Sequence, residues 1–135
     1  ALMASLTPWF VITWQRPALA VGTGMLIAGS IFRQYSIRAL GKYFTPEVVV
    51  KADQPVIEEG PYRWIRHPAY SGAFIMFAGI GMALGNWLSF AVLFLENCFV
   101  YSLRVKAEEK ALIDTIGGPY RVYMTRTKRF IPFIF

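Results

Sequence analysis

Residues 66–96 read RHPAYSGAFIMFAGIGMALGNWLSFAVLFLE. With histidine counted as neutral, no side chain between Arg66 and Glu96 carries a formal charge, and only Gly85-Asn86-Trp87 breaks the run. An α-helix needs roughly 20 apolar residues to cross the hydrocarbon core of a membrane. The stretch therefore predicts two apolar helices joined by a tight turn, a helical hairpin over about residues 68–107.

The composition extends this prediction to the whole chain. Of the 135 residues, 56% are hydrophobic and 16% are charged, whereas soluble domains have about 25% charged residues. We therefore expect one all-α domain over residues 1–135, an integral membrane helix bundle with three to four transmembrane helices. Because the sequence begins at Ala1 without an initiator methionine, we also expect that N-terminal residues, up to a whole helix, are missing.

Four apolar stretches follow one another along the chain, at residues 1–14, 18–40, 68–84 and from 88 past Arg104. Pro17 and Pro68 each stand where proline favours the start of a helix. Gly22, Gly24 and Gly29 in the second stretch would let helices approach closely in lipid. Residues 41–66 are predicted to form an ordered loop, and Tyr120–Phe135 a basic, aromatic tail.

The basic residues are distributed unevenly. Six of the 14 Lys and Arg residues lie between Arg33 and Arg66, seven lie from Arg104 onward, and Arg16 is the only other one. The positive-inside rule places both groups in the cytoplasm, where the loop and the tail would form a cofactor pocket. This topology accounts for the net charge of +6, and no recognition motif indicates a nucleic acid partner.

One face of the last apolar helix is polar. Asn97, Tyr101, Arg104 and Glu108 recur at i, i+4, i+7 and i+11, and lipid cannot satisfy such a stripe. Glu108 could hold an ammonium group, and Arg104 could hold a carboxylate in its planar fork. The same spacing also fits an ion pair between Arg104 and Glu108 at the membrane boundary.

Other candidate groups are few. His67 precedes Pro68 at a helix start, where it could contact a polar ligand group or act only as a cap. Tyr62 and Tyr70 fit either a ligand site or an interfacial aromatic belt. One histidine and one cysteine are too few for a zinc site, so no metal is expected. The glycines from Gly79 to Gly85 indicate helix packing rather than a nucleotide-binding loop.

Several motifs in order resemble the isoprenylcysteine carboxyl methyltransferase family: Gly60-Pro61-Tyr62, Arg66-His67-Pro68-Ala69-Tyr70-Ser71-Gly72, Asn86, Arg104 with Glu108-Glu109 and Leu112, and Gly118-Pro119-Tyr120-Arg121-Val122-Tyr123. The likeness covers about residues 30–135, and the short length is similar to that of compact prokaryotic members. It implies methyl transfer from S-adenosylmethionine to a lipophilic or lipidated acceptor inside a membrane. That membrane would be the cytoplasmic membrane of a prokaryote, or the endoplasmic reticulum of a eukaryote, with the active site facing the cytoplasm.

The resemblance also implies roles for individual residues. Glu108 would take the amino group of the cofactor, and Arg104, as the catalytic residue, would take the carboxylate of the acceptor. Gln54 stands where the family has a histidine. The remaining cofactor-binding positions would be Gln54, Pro55, Val56, Ile57, Tyr62, His67, Pro68, Ala69 and Tyr70.

Four other functions remain open at this stage. A phospholipid N-methyltransferase would share the cofactor but act on an amine, beside which Arg104 is out of place. An O-methyltransferase of a lipophilic phenol would need a general base, for which His67, Glu109 and Glu96 are the candidates. Membrane sterol reductases carry a similar Arg-His-x-x-Tyr-x-Gly block and use NADPH. A non-catalytic membrane scaffold is the fourth.

Overall fold

The structure is a computed structural model that describes residues 8–47 and 49–135. Within those residues it contains four α-helices: α1 Gln15–Leu40, α2 Pro68–Ala83, α3 Trp87–Ile116 and α4 Gly118–Arg126. Short 3₁₀ helices lie at Pro8–Phe10, Gly41–Tyr43 and Gly60–Arg63. The described part has two isolated β-bridges and no strand, so the predicted all-α class is confirmed there.

The chain divides into two compact units. The first contains Ala1–Ile31 with Gly72–Val100, and the second contains Phe32–Ser71 with Tyr101–Phe135. Helices α1, α2 and α3 each contribute residues to both units. The first unit holds residues 72–100 of the helical hairpin, and the second holds the long loop, the second half of α3 and α4.

In the first unit, α1 and α2 approach each other at glycines. A methyl group added at Gly22 would lie 2.5 Å from the carbonyl oxygen of Gly79, and one added at Gly29 would lie 2.6 Å from the backbone nitrogen of Met76. Real Cβ atoms do not come this close to backbone atoms, so only glycine permits this helix separation. Gly22 and Gly29 therefore serve helix packing, as the sequence indicated, whereas a methyl group at Gly24 would meet nothing within 4 Å, so the prediction is wrong for Gly24.

Asn86 connects the two helices of the hairpin. Its Oδ1 accepts hydrogen bonds from the backbone N–H groups of Leu88 at 2.9 Å and Ser89 at 3.2 Å, which makes it the N-cap of α3. Gly85 before it has φ 65°, a left-handed conformation that suits glycine. The predicted turn at Gly85-Asn86-Trp87 is therefore confirmed, with α3 beginning at Trp87.

Helix α3 is long and apolar enough to cross a membrane. Only 11% of its most apolar 18-residue window is buried, so this is not the core helix of a water-soluble domain. Large apolar side chains such as Phe94, Leu95, Phe99 and Leu103 are exposed along it. Helix α2 is apolar but has 16 residues. One described helix meets the length and composition requirement, so the count of three to four remains a prediction.

Two boundaries differ from the prediction. Helix α1 begins at Gln15, two residues before Pro17. The predicted basic tail contains a further helix, α4, because Pro119 fits the first turn of a helix. Gly117, with φ 73°, follows the last residue of α3 and ends that helix. Residues 1–7 of the first predicted apolar stretch lie outside the described residues.

We expect Gly22→Ala to destabilise the protein and Gly24→Ala not to do so. The added methyl at position 22 meets the backbone of α2, whereas nothing lies within 4 Å of one at position 24. Overpacking typically costs about 1–3 kcal/mol, while Gly→Ala in an open helix position is favourable by up to about 1 kcal/mol. Thermal unfolding of both variants in detergent measures the difference. Equal melting temperatures would contradict the close approach of α1 and α2.

Candidate active site

The second unit contains a cavity of about 450 Å³, within the usual range of small-molecule sites, roughly 300–1,000 Å³. Its walls come from the last turns of α1, the loop that follows, the start of α2, the second half of α3 and α4. Ten of the predicted site residues line it: Gln54, Pro55, Val56, Ile57, Tyr62, His67, Ala69, Tyr70, Arg104 and Glu108. Pro68 does not, because it is fully buried at the start of α2.

Glu108 is held on the cavity wall by two groups. One carboxylate oxygen accepts a hydrogen bond from the hydroxyl of Tyr70, and the other lies 3.6 Å from Nδ1 of His67. The Glu108 side chain keeps 25% of its surface exposed, so oxygen lone pairs remain available. It is a fixed carboxylate that faces the cavity.

Arg104 does not pair with Glu108, although the two are one helical turn apart. Its Nη2 donates to the carbonyl oxygen of Pro46, and its guanidinium lies 5.9 Å from the centre of the Tyr70 ring. Its Nε is buried and has no hydrogen-bond acceptor within the described part of the chain. A buried N–H without an acceptor is costly, so Arg104 has unmet hydrogen-bonding capacity at the cavity wall.

The predicted polar face of α3 is only partly realised. Tyr101, Arg104 and Glu108 line the cavity together, but Asn97 does not. The side-chain amide of Asn97 instead donates to the carbonyl oxygen of Leu93 one turn earlier, at 2.7 Å. This is how an asparagine within an apolar helix satisfies its own donor locally.

Glu109 lies at the centre of a buried ion cluster that sequence reasoning missed. The residue is 4% exposed. Its carboxylate contacts Nε of Arg66 at 2.9 Å, Nε2 of His67 at 3.2 Å and Nη2 of Arg129 at 3.0 Å. Helical spacing gave no signal for this cluster, because the partners come from the segment before α2 and from the segment after α4.

His67 lies between the two adjacent glutamates of α3. Burial disfavours its charged form, but the interactions with Glu108 and Glu109 outweigh that effect and raise the pKa of His67. Each ring nitrogen faces a carboxylate: Nε2 lies 3.2 Å from Glu109 and Nδ1 lies 3.6 Å from Glu108. His67 lines the cavity, but its nitrogens hold the glutamates in place and are not free for a ligand.

The segment after α4 is hydrogen-bonded to the residues that precede α2. The backbone N–H of Arg66 donates to the carbonyl oxygen of Lys128 at 2.7 Å, and that of His67 donates to Arg129 at 3.0 Å. From α4, the hydroxyl of Tyr123 donates to the carbonyl oxygen of Tyr62 at 2.6 Å. The predicted tail is thus a structural part of the cavity wall.

Known proteins resemble this chain over most of its length. Residues 21–114 match the model of the isoprenylcysteine carboxyl methyltransferase family, and the chain belongs to that family. It is 32% identical to the protein-S-isoprenylcysteine O-methyltransferase of Schizosaccharomyces pombe, over 82% of this chain and 48% of that protein. It is also 32% identical to a probable enzyme of the same name from Oryza sativa subsp. indica, over 84% of this chain and 61% of that protein.

A solved structure shares the fold. The eukaryotic intramembrane Ras methyltransferase, an isoprenylcysteine carboxyl methyltransferase, superposes with a TM-score of 0.80 at 29% identity. The match covers 91% of this chain and 44% of that chain. The present chain spans about half the length of the Schizosaccharomyces pombe protein and of the chain in the solved structure.

We expect Glu109→Gln to destabilise the fold strongly. The substitution leaves Arg66, His67 and Arg129 together without their shared carboxylate, and breaking a buried ion pair typically costs about 3–5 kcal/mol. Asp114→Asn is the matched control on the same helix. It breaks only the exposed pair with Lys110, which is worth about 0–1 kcal/mol. Similar thermal unfolding of the two variants would show that the cluster does not stabilise the site.

Proposed function

We propose that the protein transfers a methyl group from S-adenosylmethionine to a carboxylate on a lipophilic or lipidated acceptor at the membrane. The observation that supports this most directly is that Arg104 and Glu108 line one cavity without neutralising each other. A site with a cation and an anion that do not pair with each other suits a zwitterionic cofactor and an anionic acceptor. Membership of the family supports the same chemistry.

The residues present fit S-adenosylmethionine. Glu108 would accept hydrogen bonds from the ammonium group of the cofactor, and the cavity is large enough for a small molecule. Aromatic and apolar walls suit its adenosine part, and among the lining residues these are Pro55, Val56, Ile57, Tyr62 and Tyr70. When bound, the cofactor supplies an electrophilic methyl group on a positively charged sulfur.

Arg104 would hold the acceptor. Its planar fork matches the two oxygens of a carboxylate, and its Nε lacks an acceptor in the described structure. The hydrogen bond to the carbonyl oxygen of Pro46 would be exchanged for one to the acceptor. Alignment of the two reactants in a water-poor cavity can contribute roughly 7–11 kcal/mol to lowering the barrier.

The available bases favour a carboxylate over a phenol. A carboxylate is ionised at neutral pH and needs no general base, whereas a phenol must lose a proton. Two of the candidate bases, His67 and Glu109, contact each other in the ion cluster at 3.2 Å. The third, Glu96, does not line the cavity.

The site would operate at the cytoplasmic face of a membrane. Helix α3 exposes an apolar surface suited to lipid, and the lipophilic part of the acceptor would reach the cavity from that environment. The basic residues of the loop and the tail favour the cytoplasmic side for the second unit. The proposal requires no metal ion and no nucleic acid.

The purified protein in detergent should bind S-adenosylmethionine and not NADPH, as measured by equilibrium titration. Glu108→Gln should weaken that binding by about 10-fold or more, because a hydrogen bond to a charged group is worth about 1.5–3 kcal/mol. Asp114→Asn, exposed on the same helix, is the control that should bind normally. Preference for NADPH would indicate a reductase, and binding of neither ligand would indicate a scaffold.

Arg104→Lys should bind S-adenosylmethionine normally yet lose most methyl transfer, because lysine keeps the charge without the two-pronged fork. The wild-type rate should stay nearly flat from about pH 6 to 8, since a carboxylate with a reference pKa near 4 is ionised throughout. Initial rates with a lipophilic carboxylic acid and with a lipophilic phenol give both results. A rate that climbs steeply with pH, together with an active Arg104→Lys variant, would overturn the carboxylate acceptor.

A further inference from the structure

Arg33 is a second guanidinium on the cavity wall that no motif singled out. It lies in the last two turns of α1, is half-buried and donates from Nη1 to the carbonyl oxygen of Ala69 at 3.2 Å. No carboxylate among the described residues lies within ion-pair distance of it. A guanidinium has five N–H donors, so one backbone carbonyl leaves most of them unused.

The cationic side chains on the cavity wall form two classes. Arg66 and His67 are neutralised by the glutamates of α3, and Arg66 also donates to the carbonyl oxygen of Thr127 at 2.6 Å. Arg33 and Arg104 instead donate to backbone carbonyls and have no carboxylate partner in the described part. The site therefore presents two guanidinium groups that can each receive an anion.

We propose that Arg33 binds the carboxylate of the methionine moiety of S-adenosylmethionine, which leaves Arg104 for the acceptor. This inference rests on the proposed function, in which two carboxylates occupy the cavity, one on the cofactor and one on the acceptor. Two available guanidinium groups match two carboxylates, and Glu108 matches the single ammonium. A cavity with one guanidinium would make the two carboxylates compete for it.

The neighbours of Arg33 place it close to the group that would hold the ammonium. It contacts the carbonyl of Ala69, and the next residue, Tyr70, donates its hydroxyl to Glu108. Burial and the charge of Glu108 raise the pKa of Tyr62, while the charge of Arg33 lowers it, so both charges act on one hydroxyl. The ammonium and carboxylate of an amino acid share one carbon, so their partners must lie near each other.

The test compares S-adenosylmethionine with its decarboxylated analogue, which keeps the sulfonium, the adenosine and the amine. Equilibrium titration of the purified protein should show that the wild type prefers the intact cofactor by about 10–100-fold, the value of one charged hydrogen-bonding partner. Arg33→Gln should bind the analogue as the wild type does and the intact cofactor about 10–100-fold more weakly. The ratio of the affinities for the intact cofactor and for the analogue should then fall to about one.

Arg38→Gln is the matched control, because Arg38 lies on the same helix, is exposed and does not line the cavity. It should keep the full preference. The ratio of two affinities does not depend on the folded fraction, so partial misfolding of a variant does not obscure the result. Arg33→Lys, which keeps the charge, should retain part of the preference.

The remaining outcomes separate this inference from the proposed function. If the wild type binds neither ligand, both are overturned. If the wild type prefers the intact cofactor and Arg33→Gln keeps that preference, or weakens both ligands equally, only the role of Arg33 is overturned. Loss of the preference in Arg104→Gln instead of Arg33→Gln would assign the cofactor carboxylate to Arg104.

Discussion

The carboxylate of Glu109 is the group on which the cavity depends. It is buried and holds Arg66, His67 and Arg129, which come from the segment before α2 and the segment after α4. Three positively charged groups this close would repel one another, so one carboxylate shared among them keeps both segments against α3. Backbone hydrogen bonds also join the same two segments directly to each other.

The cluster also determines which charges remain for a ligand. Since Glu109 makes its main ion contacts with Arg66 and Arg129, His67 can bridge to Glu108 and fix its carboxylate on the cavity wall. With Glu108 held by His67 and Tyr70, Arg104 is not drawn into an ion pair one turn away. A preorganised site of this kind needs little rearrangement when its ligands bind.

Local patterns predicted the helices, while the ion cluster required contacts that no local pattern reveals. The hairpin could be predicted from the charge-free run and from Gly85-Asn86-Trp87. The length of an apolar helix and its N-cap both depend on residues that are close together in the sequence. Helical spacing placed Arg104 and Glu108 on one face of α3. Glu109 points about 100° away from Glu108, so the same spacing predicted no partner for it. Arg129, its partner, is 20 residues further along the chain, in a region taken for a tail. The family resemblance supplied the loop residues 54–57, which periodicity could not have found.

The division of charges on the cavity wall suits the chemistry of a methyl transfer to a carboxylate. Such a reaction needs the positively charged cofactor and the carboxylate of the acceptor held in alignment, and it needs no proton transfer. The chain pairs His67 with Glu109, its candidate acid–base groups near the cavity, and within the described residues it leaves Arg33 and Arg104 without a carboxylate partner. Unpaired guanidinium groups lower the stability of a fold, and proteins retain such costs chiefly where a ligand will satisfy them. The two guanidinium groups without a carboxylate partner in the described part of the chain are where we propose that the two carboxylates bind.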